Sequence, residues 1–240
     1  MTVSPTTVIL FDLDGTLLDP AGAITEGISD AIAMHGFDRP DPETLRKFVG
    51  PPTDVSLARY TSIPRERHRD ILTTYRKGYL ERARSVSVLY PGMRSLLQEL
   101  RTLPVWVGIA TQKPLPTTRI LLDDFGMSNY FDVVSGAWDA LKPETHDLPR
   151  DKAGVIERAL RQVKDDAEAR GDAVELSGVM VGDREYDVTG AAHNGLPCIG
   201  VTWGFGGPEE LEAAGADPIV DDSASLRAAL RDMTGIPLAP

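Results

Sequence analysis

Two aspartates one residue apart, Asp12 and Asp14, end the apolar run Val8-Ile9-Leu10-Phe11 and precede Gly15-Thr16-Leu17. Like charges this close raise each other's pKa unless a cation or a proton lies between them. The glycine allows a sharp turn that brings backbone N–H groups near a ligand. A hard divalent cation together with an anionic substrate makes such a pair favourable. The competing explanation is a solvated turn that caps the next helix. Only counterparts elsewhere in the chain decide between the two.

Two further segments supply them. Thr111-Gln112-Lys113 follows the apolar run Val105–Ala110, and Gly182-Asp183-Arg184-Glu185-Tyr186-Asp187 follows Val179–Val181. A hydroxyl followed by a helix start suits an anion, because the side chain and nearby backbone N–H groups all donate to phosphate oxygens. Asp183 and Asp187 add negative charge to that of Asp12 and Asp14, which strengthens the case for a metal. Ligands that are all oxygen, with room for water, favour Mg2+. The charge on a transferring group also calls for a lysine, and Lys113, Lys142 and Lys152 are the candidates.

These segments meet only if the runs before them are strands of one parallel sheet, beyond whose carboxyl ends ligands bind. The second half of the chain alternates accordingly. Helices are predicted over 92–102, 116–125, 152–163, 188–194 and 223–233. Strands are predicted over Val105–Ala110, Phe131–Ser135, Val179–Val181, Ile199–Val201 and Pro218–Val220. Such alternation implies an α/β fold, a doubly wound, mostly parallel sheet with helices on both faces. The acidic stretch Val163–Gly178 reads as a helix end or surface loop, and Leu141–Arg150, with two prolines, as an exposed connection.

Between the first strand and this alternation the pattern is helical throughout. Ala21–His35 carries Ile24, Ile28 and Ile32 at four-residue steps. Asp41-Pro42 is a capping carboxylate followed by a first-turn proline, with Leu45, Phe48 and Val49 on the apolar side. Further helices fit Thr53–Tyr60 and about Arg65 to Ala83, the last with Ile71, Tyr75 and Tyr79 in register. The block reads as an inserted α-helical cap over 18–88, hinged near 17–20 and 86–91, on a core made of 1–17 and 89–240.

Composition narrows the partners. The formal charge of −11 argues against nucleic acid and against an anionic membrane, which demand clustered Lys and Arg. An anionic substrate is then held by a few local positive groups. Cys198 is the only cysteine, so no intrachain disulfide forms; it sits in the apolar run Pro197–Val201 and reads as a buried thiol. A reducing, cytoplasmic setting is expected, since the start of the chain lacks the basic and long apolar regions of a leader. No apolar stretch reaches membrane-spanning length. The sequence leaves monomer and homodimer equally open.

The motifs together resemble the haloacid dehalogenase superfamily of phosphatases over nearly the whole chain. Its four motifs stand in order: Asp12-Leu13-Asp14-Gly15-Thr16, Thr111, a downstream lysine, and Gly182-Asp183 with Asp187. The helical insert resembles the C1-type cap. Phe48-Val49-Gly50-Pro51-Pro52, Tyr90-Pro91-Gly92, Gly182-Asp183-Arg184 and Trp203-Gly204-Phe205-Gly206 resemble the phosphoglycolate-phosphatase-like branch.

The resemblance implies Asp12 as the nucleophile that forms an aspartyl-phosphate, and Asp14 as the acid and then base. It implies Mg2+ on the Asp12 side chain, the Asp14 backbone carbonyl and Asp183, with Asp187 direct or through water. Thr111 would hydrogen-bond the phosphoryl group, with Gly15 and Gln112 beside it; many relatives have Asn where Gln112 stands. Lys152 opens Lys152-Ala153-Gly154-Val155-Ile156, like the family's third motif, and a helix-start lysine is held more firmly than the loop residue Lys142. Lys152 is therefore preferred.

The expected activity is Mg2+-dependent hydrolysis of a small phosphorylated metabolite, phosphoglycolate-like or a sugar phosphate. The alternatives are a 5'-nucleotidase, a sugar-phosphate mutase and, less favoured, a non-catalytic phosphometabolite-binding protein; a dehalogenase is disfavoured by Asp14-Gly15. Secondary expectations concern single groups. Arg184 is assigned to substrate or to a local pair with Glu185. Arg76 and Lys77 in the cap either meet a second anionic group or are solvated. Gly50-Pro51-Pro52 faces the site or merely stops a helix, and Trp203–Gly207 lines its entrance. His35, His68, His146 and His193 lack metal-ligand spacing.

Overall fold

A strand covered on both faces is apolar at every position, and its pleat sends alternate residues into two different cores. The first strand, β1 (Thr6–Phe11), does this: Val8 and Leu10 enter one hydrophobic cluster, Ile9 and Phe11 the other, and all four are fully buried. The computed structural model describes residues 6–20, 22–171 and 175–239.

After β1 comes a two-residue strand, β2 (Leu18–Asp19), and then four helices: α1 (Thr25–Met34), α2 (Pro42–Arg46), α3 (Thr53–Tyr60) and α4 (Arg65–Val86). A second short strand, β3 (Val88–Leu89), pairs antiparallel with β2, so the chain enters and leaves the helical block through one ribbon. Two residues per strand carry no periodicity, which is why the sequence reads these segments only as hinges. The buried side of α4 runs His68, Ile71, Leu72, Tyr75, Tyr79 and Ala83, the three-and-four spacing of a helix packed on one face. Helix α1 begins at Thr25, later than the periodicity suggests; Ala21 lies outside the described residues.

The rest alternates. The elements are α5 (Met93–Leu100), β4 (Trp106–Pro114), α6 (Leu115–Asp124), β5 (Val133–Ala137), α7 (Lys152–Arg170), β6 (Leu176–Gly182), α8 (Glu185–His193), β7 (Cys198–Val201), α9 (Pro208–Ala214), β8 (Ile219–Val220) and α10 (Ser223–Thr234). They form a six-stranded sheet of order β5-β4-β1-β6-β7-β8, parallel throughout. Buried residues of α5, α6 and α10 join the cluster on one face and those of α7, α8 and α9 the cluster on the other. The α/β, doubly wound reading of the sequence holds. From β1 the chain runs outward to β4 and β5, then crosses back to β6 on the other side. The carboxyl ends of β4, β1 and β6 therefore flank the point where strand order reverses, the usual place for a ligand in such sheets.

Several other boundaries differ from the sequence reading. Helix α7 runs on to Arg170 and is closed by Gly171 in the left-handed region (φ +79°). Val163 and Ala167 continue its buried stripe inside the acidic stretch that reads as a helix end or loop; residues 172–174 of that stretch lie outside the described set. Strand β4 continues through Thr111, Gln112 and Lys113, with an irregularity in register between Thr111 and Pro114. Helix α8 starts at Glu185, directly after the acidic loop.

Candidate active site

Asp12 is the first residue beyond β1, and its N–H donates to the Val181 carbonyl at 3.0 Å, which ties the loop to the end of β6. Its Oδ1 accepts from Lys152 Nζ at 2.7 Å. Lys152 is the first residue of α7, whose N-cap Asp151 accepts from the Gly154 N–H at 2.8 Å. Its ammonium also donates to the Ala110 carbonyl at 2.9 Å and lies 2.6 Å from Asp187 Oδ1. Burial works to lower the Lys152 pKa, but Asp12 and Asp187 outweigh it and hold the group above its ordinary value. Gly190 on α8 leaves room for the lysine stem, since a Cβ there would come within 2.7 Å of Lys152 Cγ. Lys142, in contrast, is exposed.

Asp183, the residue after β6, is fully buried. Thr16 Oγ1 donates to its Oδ1 at 3.2 Å and the Phe205 N–H to its Oδ2 at 2.8 Å. Gly15 is required beside it: its φ is +90°, and a Cβ would stand 2.2 Å from Asp183 Oδ2. The Trp203–Gly207 stretch, expected at the entrance, instead backs this carboxylate, and Trp203 Nε1 donates to the Thr16 carbonyl at 3.1 Å. Asp187 accepts from the Arg184 N–H at 3.0 Å. Burial, reinforced by Asp187 and Asp12, pushes the Asp183 carboxyl well above the usual carboxylate range. Burial likewise raises Asp187 to about 6, although Lys152 opposes the shift.

Asp12, Asp183 and Asp187 each place an oxygen within 4.8 Å of the other two. Among the described residues one ammonium faces them, and buried charges without matching counter-charge are costly. The set is all oxygen, buried and short of positive charge, which fits a hard divalent cation. The carboxylate of Asp14 stands apart from it and is ion-paired with Lys113, whose ammonium also lies 4.8 Å from the centre of the Tyr79 ring. Burial raises the Asp14 pKa against the pull of Lys113, and its second oxygen, Oδ1, is buried without a partner.

Thr111 is buried at the carboxyl end of β4, where its Oγ1 accepts from the Lys113 N–H at 3.2 Å. It sits in the strand, not ahead of a helix start as the sequence suggests. Thr111, Gln112 and Lys113 line a pocket together with Asp12 and Asp14. The helical block contributes Phe48, Gly50, Pro51, Tyr75, Arg76 and Tyr79, and the segment after β5 contributes Trp138 and Leu141. Gly50-Pro51-Pro52 thus does face the site.

Arg184 does not form the local pair expected with Glu185, nor does it line the pocket. Its Nε donates to Glu210 Oε1 at 2.8 Å and its guanidinium binds the Val49 carbonyl, so it joins α8 to α9 and to the turn after α2. Lys77 is exposed and outside the pocket, whereas Arg76 lines it and pairs with buried Asp139 at 3.1 Å. Sequence reasoning passed over Trp138 and Asp139 altogether, and weighed Lys113 only as an alternative to Lys152. Nothing local marks them, because their partners lie on distant elements. His68 bonds the Ile63 carbonyl and His35 bonds Thr74 Oγ1, both away from the carboxylates.

Residues 9–201 match the family model described as haloacid dehalogenase-like hydrolase. The chain belongs to that family. Among relatives of this haloacid dehalogenase-like hydrolase, the protein named tyrosine-protein kinase PtkA of Mycobacterium tuberculosis is 32% identical over 229 residues, 95% of this chain and 72% of its own. A Pseudomonas aeruginosa protein named 5'-nucleotidase is 32% identical over 222 residues, 92% of this chain and 94% of its own. The crystal structure of a predicted phosphatase from Clostridium acetobutylicum superposes with a TM-score of 0.79 at 33% identity, covering 95% of this chain and all of the other. With this family, and with relatives and a structural neighbour named as phosphatases, the enzyme is a phosphoric monoester hydrolase. Among the described residues no helix is long and apolar enough to cross a membrane.

Proposed function

We propose that this hydrolase removes phosphate from a small phosphorylated metabolite, phosphoglycolate-like or a sugar phosphate, through an aspartyl-phosphate on Asp12. The observation that carries the reading is the division of labour between the two motif aspartates. Asp12 is gripped by Lys152 beside the acidic cluster, while Asp14, one residue on, faces the pocket with a raised pKa and an unpartnered oxygen.

In the first step an Asp12 oxygen attacks phosphorus and the bond to the leaving oxygen breaks, with Asp14 handing its proton to that oxygen. In the second step the Asp14 carboxylate takes a proton from a water whose oxygen attacks phosphorus, and the Asp12–phosphorus bond breaks to release phosphate. Lys152 holds the nucleophile in place, and Thr111, lining the pocket, hydrogen-bonds the phosphoryl oxygens. Such transfers need positioning and charge balance more than covalent help. Asp12, Asp183 and the Asp14 backbone carbonyl would hold Mg2+, with Asp187 completing the acidic set, and the ion would supply positive charge to the phosphoryl oxygens. Residues 18–88 act as the cap that closes over the pocket and keeps bulky substrates out. A cytoplasmic setting fits the single buried cysteine.

Phosphate release from a metabolite panel, with Mg2+ and with EDTA, tests this reading. Activity should require the cation and vanish in Asp12→Asn. Unchanged turnover in Asp12→Asn would refute the nucleophile assignment.

A further inference from the structure

The walls of the pocket carry groups that the phosphoryl steps do not use. Three of their polar atoms are buried with no hydrogen-bond partner among the described residues: Gln112 Oε1, Tyr79 Oη and Trp138 Nε1. Gln112 and Tyr79 are only 7% and 3% exposed. Native interiors leave few such atoms unsatisfied; of nine among the described residues, four, counting Asp14 Oδ1, belong to residues lining this one pocket, where a ligand can complete the bonding. Gln112, Tyr79 and Trp138 are uncharged groups, since burial holds the Tyr79 phenol far above its ordinary pKa.

The cations of the same wall are already engaged. Lys113 is held by Asp14, and Arg76 lies 3.1 Å from Asp139, which is 3% exposed. The remaining charge on the helical side is negative: Asp54, in the first turn of α3, lines the pocket with no ion pair among the described residues. A carboxylate on the substrate would meet Asp54 and would have to compete with Asp14 for Lys113 and with Asp139 for Arg76. Its oxygens would accept from Trp138 and Tyr79 but would leave the Gln112 oxygen, an acceptor, unmatched. Hydroxyl groups would suit all of them, because a hydroxyl both donates to an amide or carboxylate oxygen and accepts from an indole N–H.

We infer that the leaving group of this enzyme is a neutral polyol, a sugar either free or within a nucleoside, and that a leaving group bearing its own carboxylate, as in 2-phosphoglycolate, is disfavoured. The inference rests on the phosphomonoesterase reading above and narrows it. A site built to hydrogen-bond substrate hydroxyls discriminates strongly against analogues lacking them, because its own buried polar groups then stay unpaired.

The test compares kcat/KM for ribose 5-phosphate, AMP and 2-phosphoglycolate, with p-nitrophenyl phosphate as the common reference. At least one of the first two should exceed 2-phosphoglycolate by about tenfold or more, and the better of them tells the free sugar from the nucleoside. Two variants probe the wall itself. Asp139→Asn releases Arg76 and should raise the ratio of 2-phosphoglycolate to p-nitrophenyl phosphate turnover by about tenfold. Gln112→Met keeps the volume but removes the acceptor, and should lower the ratio of the preferred polyol phosphate to p-nitrophenyl phosphate by about as much. Preference for 2-phosphoglycolate in the parent enzyme, or ratios that stay put in both variants, would overturn the inference while leaving the phosphomonoesterase reading intact. Turnover of none of the four compounds would refute that reading, and the inference with it.

Discussion

Replacing Lys152 by Met removes the single cation that faces Asp12 and Asp187 among the described residues. The ammonium lies 2.7 Å from Asp12, 2.6 Å from Asp187 and 2.9 Å from the Ala110 carbonyl, and both carboxylates are buried. Methionine fits the same space but leaves both charges uncompensated. Breaking a buried ion pair from one side costs about 3–5 kcal/mol, because the remaining charge stays desolvated. The lost bond to Ala110 adds to that, and protonation of one carboxylate offsets it, so we expect a loss of about 4 kcal/mol in metal-free protein near neutral pH. For a chain of this length the loss corresponds to about 8–16 °C in Tm. Titration of the lysine does not blur the measurement. Its pKa is raised on folding, so its contribution is complete below the ordinary lysine value and is lost only as pH climbs through the higher folded value.

The assay is urea unfolding in EDTA of the parent, Lys152→Met, Asp187→Asn and the double variant. Asp187→Asn removes one of the two uncovered charges, so the double variant should be more stable than the sum of the single losses allows. Lys142→Met, at an exposed position, serves as the control and should stay within about 0.5 kcal/mol of the parent. A Lys152→Met protein within about 1 kcal/mol of the parent, or strict additivity in the double variant, would show that the ammonium does not balance these carboxylates.

Other consequences are equally open to measurement. Burial raises Asp187 from 3.8 to about 6, so between those values the metal-free fold holds a proton that the unfolded chain has lost, and its stability falls as pH rises through that window. A cation takes the proton's place, and the Tm increment given by added Mg2+ should therefore be larger at pH 7.5 than at pH 5; equal increments would count against a cation at Asp187. Gly15→Ala meets Asp183 at 2.2 Å with φ at +90°, whereas Gly126→Ala, φ +62°, meets nothing within 4 Å. Urea midpoints should show about 1 kcal/mol lost at Gly126 and at least about twice that at Gly15, with Mg2+ affinity, read by calorimetry, weakened only at Gly15. Asp151→Ala removes the N-cap that precedes Lys152 and should cost about 1 kcal/mol on the same assay.

The sheet was legible because Val8–Phe11, Val105–Ala110 and Val179–Val181 are continuous apolar runs, and the residues just beyond them are the polar groups of the pocket and the acidic cluster. What escaped were pairings set by distance in the chain. Lys113 meets Asp14 across 99 residues and Arg184 meets the Val49 carbonyl across 135. Periodicity reports which side of an element is buried but not which element covers it. The extension of α7 was hidden for a different reason: its buried stripe passes from Ile156 and Ala159 to Val163 and Ala167 while Asp165, Asp166 and Glu168 dominate the composition. The ribbon of β2 and β3 was too short to show any period at all.

Two carboxylates of the acidic cluster stand where a helix begins, and the third is held by the side chain that opens another. Lys152 is the first residue of the 19-residue α7, and Asp183 and Asp187 bracket the start of the nine-residue α8. Aligned peptide dipoles give each helix N-terminus the equivalent of about half a positive charge. At the start of α8 backbone alone therefore sets about half a unit of positive charge against the cluster, a contribution that neither titrates nor dissociates. In a chain of net charge −11 that fixed field offsets part of the charge of the buried carboxylates and leaves the remainder for a bound cation to balance.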